Sequence, residues 1–576
     1  MLTEKRWDFQ PIPEQEKIDK LAKALNISAL NAGLLLQRGI NSFDEAKAFF
    51  RPKLEDLHNP FEMQDMEAAV NRIEAALEEG ETIMVFGDYD VDGTTSVALV
   101  SSYLKHYYEN IITYIPDRYN EGYGISFAGI DEAEKQNCSL IIALDCGIKA
   151  LDKIDYANQK NIDFIICDHH RPGDKLPAAV AVLDPKRDDC KYPYKELSGC
   201  GIGFKLMQAL SQKFNWPQDE LFNLLDLTAI SIACDIVPIT GENRILAYYG
   251  LKQINDPNYS REGVKHLLKL ANKEGNVDIS TLVFVIGPRI NAAGRIESGL
   301  NAVELLTAAT KKDVEDFGKL INSQNNERRE LDKETTFEAL NLIEHSKELK
   351  KAKSTVLYQS HWHKGVIGIV ASRVIESFYR PTIIFTESNG VAAGSARSVP
   401  GFDVYNAIEA CSKHILQFGG HKYAAGLTIE IDKIPEFVKA FEKQVSTTIT
   451  EEQLTPVVEI DYEIELSEIN RKFYNILTQM APFGPENLTP VFCAKNVVDA
   501  GYTTKVGSDN SHLKLSVRQI HNPTEEFNGI AFKMGHWEEY LKANNAVDIV
   551  FTIEENNWRG QTSLQLMVRD IKKSKN

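Results

Sequence analysis

The chain has 576 residues, of which 43% are hydrophobic and 25% charged, with a formal net charge of −18 at pH 7. This length is too great for one ordinary domain, and the composition excludes a disordered or fibrous chain. The acidic balance argues against a protein that coats nucleic acid, although it allows a local basic channel. No apolar run approaches the roughly 18 residues of a membrane span, and the opening MLTEKRWDFQ does not resemble a signal peptide. We therefore expect a multidomain cytoplasmic protein.

The first 300 residues contain two kinds of pattern. Residues 1–80 are amphipathic and helical, as in MEAAVNRIEAALEEG, and end at Gly80, which predicts an N-terminal helical cap. From 81 to 301, short apolar runs (TIMVF, IITYI, SLIIAL, IDFIIC, AVAVL) alternate with helical segments. This alternation is typical of a parallel sheet covered by helices, so we predict a doubly wound α/β domain.

The remaining residues predict two smaller domains after a linker. Residues 302–352 are charged and contain no proline, so we predict connecting helices. Residues 353–446 predict a smaller α/β domain, with strands near STVLYQS, TIIFTE and GLTIEI and glycine-rich turns at GSARS and FGGHKYAAG. Residues 455–576 alternate apolar and polar positions, as in HLKLSVRQ, which predicts a small β domain such as an OB-like β-barrel.

Carboxylates and histidines follow the apolar runs of the large α/β domain. The candidates are Asp88, Asp90 and Asp92 in GDYDVDG, Asp145 in LDCG, Asp168, His169 and His170 in CDHH, and Asp235 in CDIVP. The first three motifs come at the ends of predicted parallel strands, whose carboxyl ends share one edge of a sheet. Carboxylates crowded there repel one another unless cations neutralise them. Oxygen and imidazole ligands favour Mn²⁺ or Mg²⁺, and this many ligands indicate two ions, an arrangement typical of phosphoester hydrolysis.

Simpler interpretations of single motifs remain open at this point. The DxDxDG pattern also begins a calcium-binding EF-hand loop, but that loop needs a glutamate where this chain has Leu99. Asp145 or Asp235 alone is more readily explained as a helix N-cap, and the two histidines alone as partly buried side chains. The combination of motifs favours the metal site.

The four motifs, in this order and spacing, resemble those of the DHH phosphoesterase family. Six further segments resemble its RecJ exonucleases, and they are YIPDRYNEGYGIS, LSGCGIGFKL, GPRINAAGRI, HKGVIGIVASR, GSARSVPGFDVYNAI and FGGHKYAAG. The resemblance covers nearly the whole chain. It implies a single-stranded-DNA-specific exonuclease that acts from 5′ to 3′, releases mononucleotides and serves DNA repair and recombination.

The resemblance also implies residue roles. The metal ligands would be Asp90, Asp92, Asp145, His169 and Asp235, with Asp145 bridging two ions. His170 would face the scissile phosphate, and Asp88 and Asp168 would assist catalysis. In one departure, Phe86 stands four residues before the first of these metal-binding aspartates, where simpler family members carry a histidine. The resemblance then implies that the first metal is held less tightly, or that Asp88 or water compensates.

Phosphate and DNA contacts are implied by the same resemblance. The phosphate-binding candidates are Arg118, Arg295, His363, Arg373, Ser395, Arg397, Gly420 and His421. The candidates for strand contact in the β domain are Tyr502, Lys505, Lys514, Trp558 and Arg559, although burial in a barrel core is the simpler interpretation for any one aromatic side chain. A single-strand-binding protein and a helicase are the implied partners, and a monomer is expected.

Two other functions are compatible with the motifs. A phosphodiesterase for short oligonucleotides or cyclic dinucleotides would use the same site, but it would not require the additional N- and C-terminal segments. A noncatalytic replication scaffold of the same fold would have lost metal ligands, whereas every one is present here.

Overall fold

The computed structural model describes residues 4–558 and 560–574, which form two compact units. One unit runs from Leu57 to Thr455, and the other combines the segment up to Asp56 with the segment from Pro456. The stretch 1–80, expected to be one N-terminal cap, is therefore divided between the units. Within the described residues, no helix is both long and apolar enough to cross a membrane.

The unit 57–455 contains the expected doubly wound domain. Its five parallel strands lie in the order Ile111–Tyr114, Thr82–Gly87, Cys138–Leu144, Asp163–Cys167 and Ala181–Leu183. The strand Ile111–Tyr114 pairs on one side of Thr82–Gly87, and Cys138–Leu144 pairs on the other side. The direction of strand addition thus reverses beside Thr82–Gly87, and ligands bind outside the carboxyl ends of strands at such a switch point.

Helices enclose this sheet, which explains why its strands are continuous apolar runs. Ile130 and Ile154 come from two helices and share a core with Met84 and Ile141 of the sheet. The helices of the domain are Met66–Glu79, Val91–Lys105, Phe127–Lys135, Leu151–Gln159, Gly199–Phe214, Gln218–Phe222, Leu225–Cys234, Gly241–Ile254, Glu262–Leu270, Ile279–Thr281 and Gly287–Ile296, with a π-helical turn at Leu282–Ile286.

Three helices follow and lead to a second sheet in the same unit. They are Leu300–Thr307, Lys311–His345 and Lys347–Lys351. The second sheet has the strand order Gln417–His421, Ala424–Ile429, Val391–Arg397, Thr382–Ser388 and Thr355–Tyr358. Its helices are Ile367–Ser377, Val404–Glu409 and Ile434–Thr448.

The prediction of glycine-rich turns in this second sheet is wrong in part. Most of GSARS lies in the strand Val391–Arg397, and FGGHKYAAG forms a hairpin whose turn is Lys422–Tyr423. Gly394 is needed for packing, because a Cβ there would lie 2.4 Å from the ring of Phe385.

The other unit contains a closed five-stranded barrel. Its strands are Phe492–Asp499, Val547–Trp558, Gln561–Lys573, Asn522–Ala531 and His512–Gln519, and the last pairs again with the first. Short strands Tyr462–Glu463 and Thr504–Val506 extend it, and helices Arg471–Gln479 and Glu538–Lys542 accompany it. This arrangement is that of an OB-like barrel.

The N-terminal segment belongs to the barrel unit because it shares its apolar core. The segment contains the strand Arg6–Phe9 and the helices Gln15–Leu25, Ala29–Gln37 and Phe43–Phe50. Its strand pairs in parallel with Val457–Ile460. Ile18 and Leu34 are buried in one cluster with Phe492 of the barrel, so burial of apolar surface joins the two ends of the chain.

Candidate metal centre and phosphate site

The first motif lies in the loop that follows the strand Thr82–Gly87. Asp88 is fully buried, and its Oδ1 accepts a hydrogen bond from the backbone N–H of Gly124 at 3.0 Å. Its Oδ2 is buried without a hydrogen-bond partner among the described residues. Gly93 allows the loop to fold this tightly, since a Cβ there would lie 2.2 Å from the carbonyl oxygen of Asp88.

The next two aspartates are fixed by helix N-termini. Asp90 caps the helix Val91–Lys105 by accepting a hydrogen bond from Gly93 N at 3.0 Å. Asp92 accepts from Gly199 N at 2.7 Å and Cys200 N at 2.8 Å, which are the first N–H groups of another helix. Backbone N–H groups at helix starts lack partners within the helix, so these two hydrogen bonds hold the Asp92 carboxylate in one orientation.

The remaining ligand candidates converge on one imidazole nitrogen. His169 Nε2 lies 3.2 Å from Asp145 Oδ1, 3.4 Å from Asp235 Oδ2 and 3.7 Å from Asp92 Oδ2. The two closest of these oxygens and both ring nitrogens are buried but make no hydrogen bonds among the described residues. Buried polar atoms that lack partners are costly. Their common orientation is the one expected of ligands around a cation.

Neither simpler interpretation of Asp145 and Asp235 holds. Asp145 has a left-handed backbone (φ 57°) at the end of Cys138–Leu144 and accepts no capping hydrogen bond that the structure describes. Asp235 lies at the C-terminal end of the helix Leu225–Cys234, where a carboxylate opposes the helix dipole. Its position is therefore explained by the ligand cluster and not by capping.

The electrostatics of the cluster also fit a metal. Burial, followed by the neighbouring carboxylates, raises the pKa of Asp145 and Asp235 well above the ordinary value. Burial likewise lowers the pKa of His169. A divalent cation reverses this balance by favouring ionised carboxylates and a neutral imidazole. The residues thus fit Mn²⁺ or Mg²⁺, and two overlapping ligand groups exist, Asp92 with His169 and Asp235, and Asp145 with His169 and His170.

Asp168 has a different environment from the ligand candidates. Its Oδ1 accepts hydrogen bonds from the backbone N–H of His169 at 2.8 Å and from Nδ1 of His170 at 2.8 Å, and its Oδ2 accepts from Ile148 N at 2.9 Å. Burial acts against the charge, but these bonds lower the pKa of Asp168 to about 2. Both oxygens are occupied by donors, so Asp168 orients His170.

Three arginines, called here the arginine triad, carry no ion pair in the described part of the chain. They are Arg118, Arg295 and Arg397. Burial and then Arg118 lower the pKa of both other members, that of Arg295 to about 9. Arg397 Nη1 donates to Ser395 Oγ at 3.0 Å. Mutually repelling guanidinium groups without carboxylates are an anion-binding arrangement, and arginine binds phosphate oxygens in pairs.

The other predicted phosphate-binding residues lie outside the arginine triad. Arg373 pairs with Asp332 at 2.8 Å, and His363 Nδ1 accepts a hydrogen bond from Gly365 N at 3.1 Å. Gly420 and His421 end the strand Gln417–His421. Burial and then the charge of His170 lower the pKa of His421, so the two imidazoles are within electrostatic reach.

Five further positions come from the sequence analysis. Phe86 is buried in its strand and stacks on Tyr114 with centroids 5.3 Å apart, so it is a core residue. In the barrel unit, Tyr502 is 76% exposed, while Lys505 contacts Glu538 at 3.6 Å. Arg559 lies outside the described residues, as does the side chain of Trp558.

Known families match three parts of the chain. The DHH family N-terminal domain matches residues 82–232, the DHHA1 domain matches 351–447, and the RecJ OB domain matches 460–570. The single-stranded-DNA-specific exonuclease RecJ of Bacillus subtilis (strain 168) is 35% identical over 568 residues, with 98% of this chain and 70% of the relative covered. The Escherichia coli (strain K12) exonuclease of the same name is 32% identical, with 93% and 95% covered.

The chain belongs to the RecJ family.

Solved structures agree with membership of the RecJ family. The crystal structure of RecJ from Thermus thermophilus in complex with Mn²⁺ has a TM-score of 0.85 at 24% identity, and 99% of this chain and 80% of that chain are covered. A crystal structure of exonuclease RecJ bound to manganese has a TM-score of 0.59 at 29% identity, with 69% and 98% covered. The expected fold and enzyme class, that of a metal-dependent nuclease, are confirmed.

One side chain in the RecJ-like site is missing from the sequence-based candidates. The hydroxyl of Tyr123 lies 3.3 Å from His170 Nε2 and 3.3 Å from the carbonyl oxygen of Asp145. It is flanked by Gly122 and Gly124, whose φ values of 87° and 77° bend the loop towards the site. The feature of the sequence that indicates Tyr123 is this pair of glycines on either side of it, within the RecJ-like segment YIPDRYNEGYGIS.

Proposed function

We propose that this chain is an exonuclease that degrades single-stranded DNA from its 5′ end and releases 5′-mononucleotides. The observation that carries the proposal is the convergence of unbonded carboxylate oxygens from Asp145 and Asp235 on His169. The names of the relatives supply the class of substrate. Polarity and a role in DNA repair and recombination follow from the family resemblance.

Two metal ions, Mn²⁺ or Mg²⁺, would be held by Asp90, Asp92, Asp145, His169 and Asp235. When bound, such ions supply a water nucleophile at neutral pH and offset charge on the phosphodiester. Asp145 would be the bridging ligand. The two ligand groups share His169, and Asp145 belongs to only one of them, so the second ion and the Asp145 bridge rest on the family resemblance.

The protein side chains bind and orient the substrate. Asp168 holds His170 with Nδ1 as the hydrogen-bond donor, so Nε2 is left to face the scissile phosphate. The arginine triad would bind the phosphate at the 5′ end, with Ser395 fixing Arg397. A terminal phosphate held at a fixed place next to the metal centre would favour cleavage of one nucleotide at a time.

The barrel unit would bind single-stranded DNA by charge and base stacking. The exposed ring of Tyr502 and the amine of Lys514 are the described candidates for these contacts. By family resemblance, a single-strand-binding protein and a helicase would be partners of a monomeric, cytoplasmic enzyme.

The first experiment is a time course with Mn²⁺ on one DNA oligonucleotide, labelled in parallel at its 5′ or 3′ end. The proposal expects immediate release of labelled mononucleotide from the 5′ label and a shrinking ladder from the 3′ label. A blunt duplex is the control and should stay intact. Cleavage of only very short oligomers, or no cleavage, would favour the small-substrate phosphodiesterase or the scaffold.

A further inference from the structure

A second group of arginines lies next to the arginine triad in the unit 57–455. This inner arginine cluster consists of Arg289, Arg328 and Arg329. Arg289 is on the helix Gly287–Ile296, which packs against the helix Lys311–His345 that carries the other two. None of the three is among the phosphate-binding candidates that the sequence indicates.

The cluster has unused hydrogen-bond donors in a buried setting. Arg289 is 9% exposed, and its Nη1 donates only to the carbonyl oxygen of Val285, at 2.7 Å. Arg328 Nη2 donates to the amide oxygen of Asn325 at 3.0 Å. The Nε atoms of both arginines are buried and without partners among the described residues. Buried arginines are almost always paired, so this absence requires an explanation.

No carboxylate in the described part of the chain forms an ion pair with the cluster. Asp332 is the nearby acid, and its charge favours the charged form of Arg328, although its Oδ2 pairs with Arg373 at 2.8 Å. Burial, and then repulsion from Arg329 and Arg328, lowers the pKa of Arg289. Because the whole chain has a net charge of −18, such a local excess of positive charge is not a consequence of composition. The unpartnered Nε donors of Arg289 and Arg328 are suited to an anion from outside the chain.

One member of the inner cluster, Arg328, interacts electrostatically with one member of the arginine triad, Arg295. Burial lowers the pKa of Arg295 most, and Arg118, Arg328 and Arg397 each lower it further. Arg328 is therefore within electrostatic reach of Arg295, while Arg329 is exposed. The charge of Arg295 interacts with those of Arg118 and Arg328, and the charge of Arg118 interacts with that of Asp88 in the first motif.

We propose that the inner arginine cluster is a second phosphate subsite, which binds an internal phosphodiester of the single strand. The proposal rests on the proposed function. It adds the site that binds the strand beyond its terminal phosphate. Contacts of this kind fix the register of a strand without reading its bases. The subsite would hold the strand while the terminal nucleotide is cleaved.

The test measures binding to metal-free protein in EDTA, so that hydrolysis does not interfere. The probes are two fluorescent DNA decamers, one with a 5′ phosphate and one with a 5′ hydroxyl. Arg328→Gln should weaken binding of both decamers by about tenfold, as expected for a lost hydrogen bond to a charged group. The slope of log K against log salt should become shallower by about 0.7 for each lost phosphate contact. The preference for the 5′ phosphate should remain.

The matched control is Lys312→Gln, an exposed residue 16 positions earlier on the same helix, about 24 Å away at 1.5 Å per residue. It removes the same charge and should leave both affinities unchanged. Arg329→Gln changes an exposed side chain and should act in the same direction as Arg328→Gln, even if circular dichroism shows that Arg328→Gln is unfolded.

Three outcomes would count against these conclusions. If both arginine variants match Lys312→Gln, the subsite does not exist. If Arg328→Gln abolishes the preference for the 5′ phosphate, Arg328 belongs to the terminal site and the separate subsite is wrong. If the wild-type protein binds neither decamer, the proposed function itself fails, a result that differs from the other two.

Discussion

The Asp168 carboxylate accepts a hydrogen bond from Nδ1 of His170 at 2.8 Å, and this bond determines which ring nitrogen is available at the metal centre. In a neutral imidazole, one nitrogen donates and the other accepts. Burial opposes a charge on His170, but the hydrogen bond to Asp168 raises its pKa, and Nε2, 3.3 Å from the Tyr123 hydroxyl, is the other ring nitrogen. The relationship connects a buried acid, both of whose oxygens accept hydrogen bonds, to His170 at the candidate metal centre.

Replacing Asp168 by asparagine should therefore reduce kcat by roughly 10²–10⁴-fold, the range typical of a positioned acid–base group. The amide would keep the size of the side chain but lose the charge that fixes His170. Single-turnover cleavage and Mn²⁺ titration calorimetry would separate lost catalysis from lost metal binding, which should be retained. Asp152→Asn, an exposed change, is the control. Wild-type turnover by the Asp168 variant would exclude the positioning role.

Tyr123→Phe removes the hydroxyl that lies 3.3 Å from His170 Nε2 and keeps the ring. Because one hydrogen bond is lost, we expect kcat to fall by about 2- to 10-fold, while KM changes little. The pH dependence of kcat should also move, since a purely structural role of the ring would leave it in place. Tyr248→Phe is a partly exposed control on another helix. An unchanged pH profile in Tyr123→Phe would contradict the prediction.

Asp145→Asn tests the proposed bridging ligand better than Asp145→Ala does. The backbone φ of 57° at this position is tolerated by asparagine, whereas alanine adds strain. Both variants should abolish hydrolysis, and the asparagine variant should unfold at a temperature close to that of the wild type. Cleavage assays with Mn²⁺ and calorimetry would measure the two effects. Substantial remaining turnover would refute the two-metal assignment.

Arg397→Ala should slow cleavage of 5′-phosphorylated DNA more than cleavage of 5′-hydroxyl DNA. A hydrogen bond to a charged group contributes about 1.5–3 kcal/mol, so the difference should be roughly 10- to 150-fold. The measurement is kcat/KM on two oligonucleotides that differ only in the terminal phosphate. Lys439→Ala, an exposed cation far along the chain, is the control. Equal losses on both substrates would exclude a role in holding the terminal phosphate.

Removal of the metal should destabilise the protein more at high pH than at low pH. Burial, followed by neighbouring carboxylates, raises the pKa of Asp145 and Asp235 in the metal-free fold. The folded state then holds protons that the unfolded chain loses above about pH 4, so metal-free stability falls as pH rises through the folded pKa values. Bound Mn²⁺ removes this penalty.

Calorimetry at pH 5 and pH 8, with and without Mn²⁺, would measure the effect. We expect a larger increase in Tm at pH 8, and a smaller increase in Asp145→Asn at both values. The same increase in Tm at both pH values for the wild type would show that the carboxylates are not coupled to the metal in this way.

The order of motifs along the sequence determines much of the site. Asp90, Asp145 and His169 each follow a strand of the same parallel sheet, and parallel strands bring their carboxyl ends to one edge. The apolar runs determine the sheet itself, since strands covered on both faces must be apolar along their length. These features depend on neighbouring residues and on the spacing of apolar side chains, and both can be seen in a single sequence.

Other features exist only because distant segments pack together. Asp235 ends a helix 66 positions after His169, and only the packing of that helix against Val91–Lys105 and Gly199–Phe214 brings its Oδ2 to 3.4 Å from His169 Nε2. The direction of each Asp168 oxygen and the approach of Tyr123 likewise depend on side-chain packing.

The division of the chain shows the same contrast. The sequence by itself predicted a helical N-terminus and a C-terminal barrel, because each has a local period. Only the tertiary structure decided that Ile18 and Phe492 share one core. Apolar surface is buried against whatever complementary surface is nearest in space, and no local sequence pattern shows which surface that is.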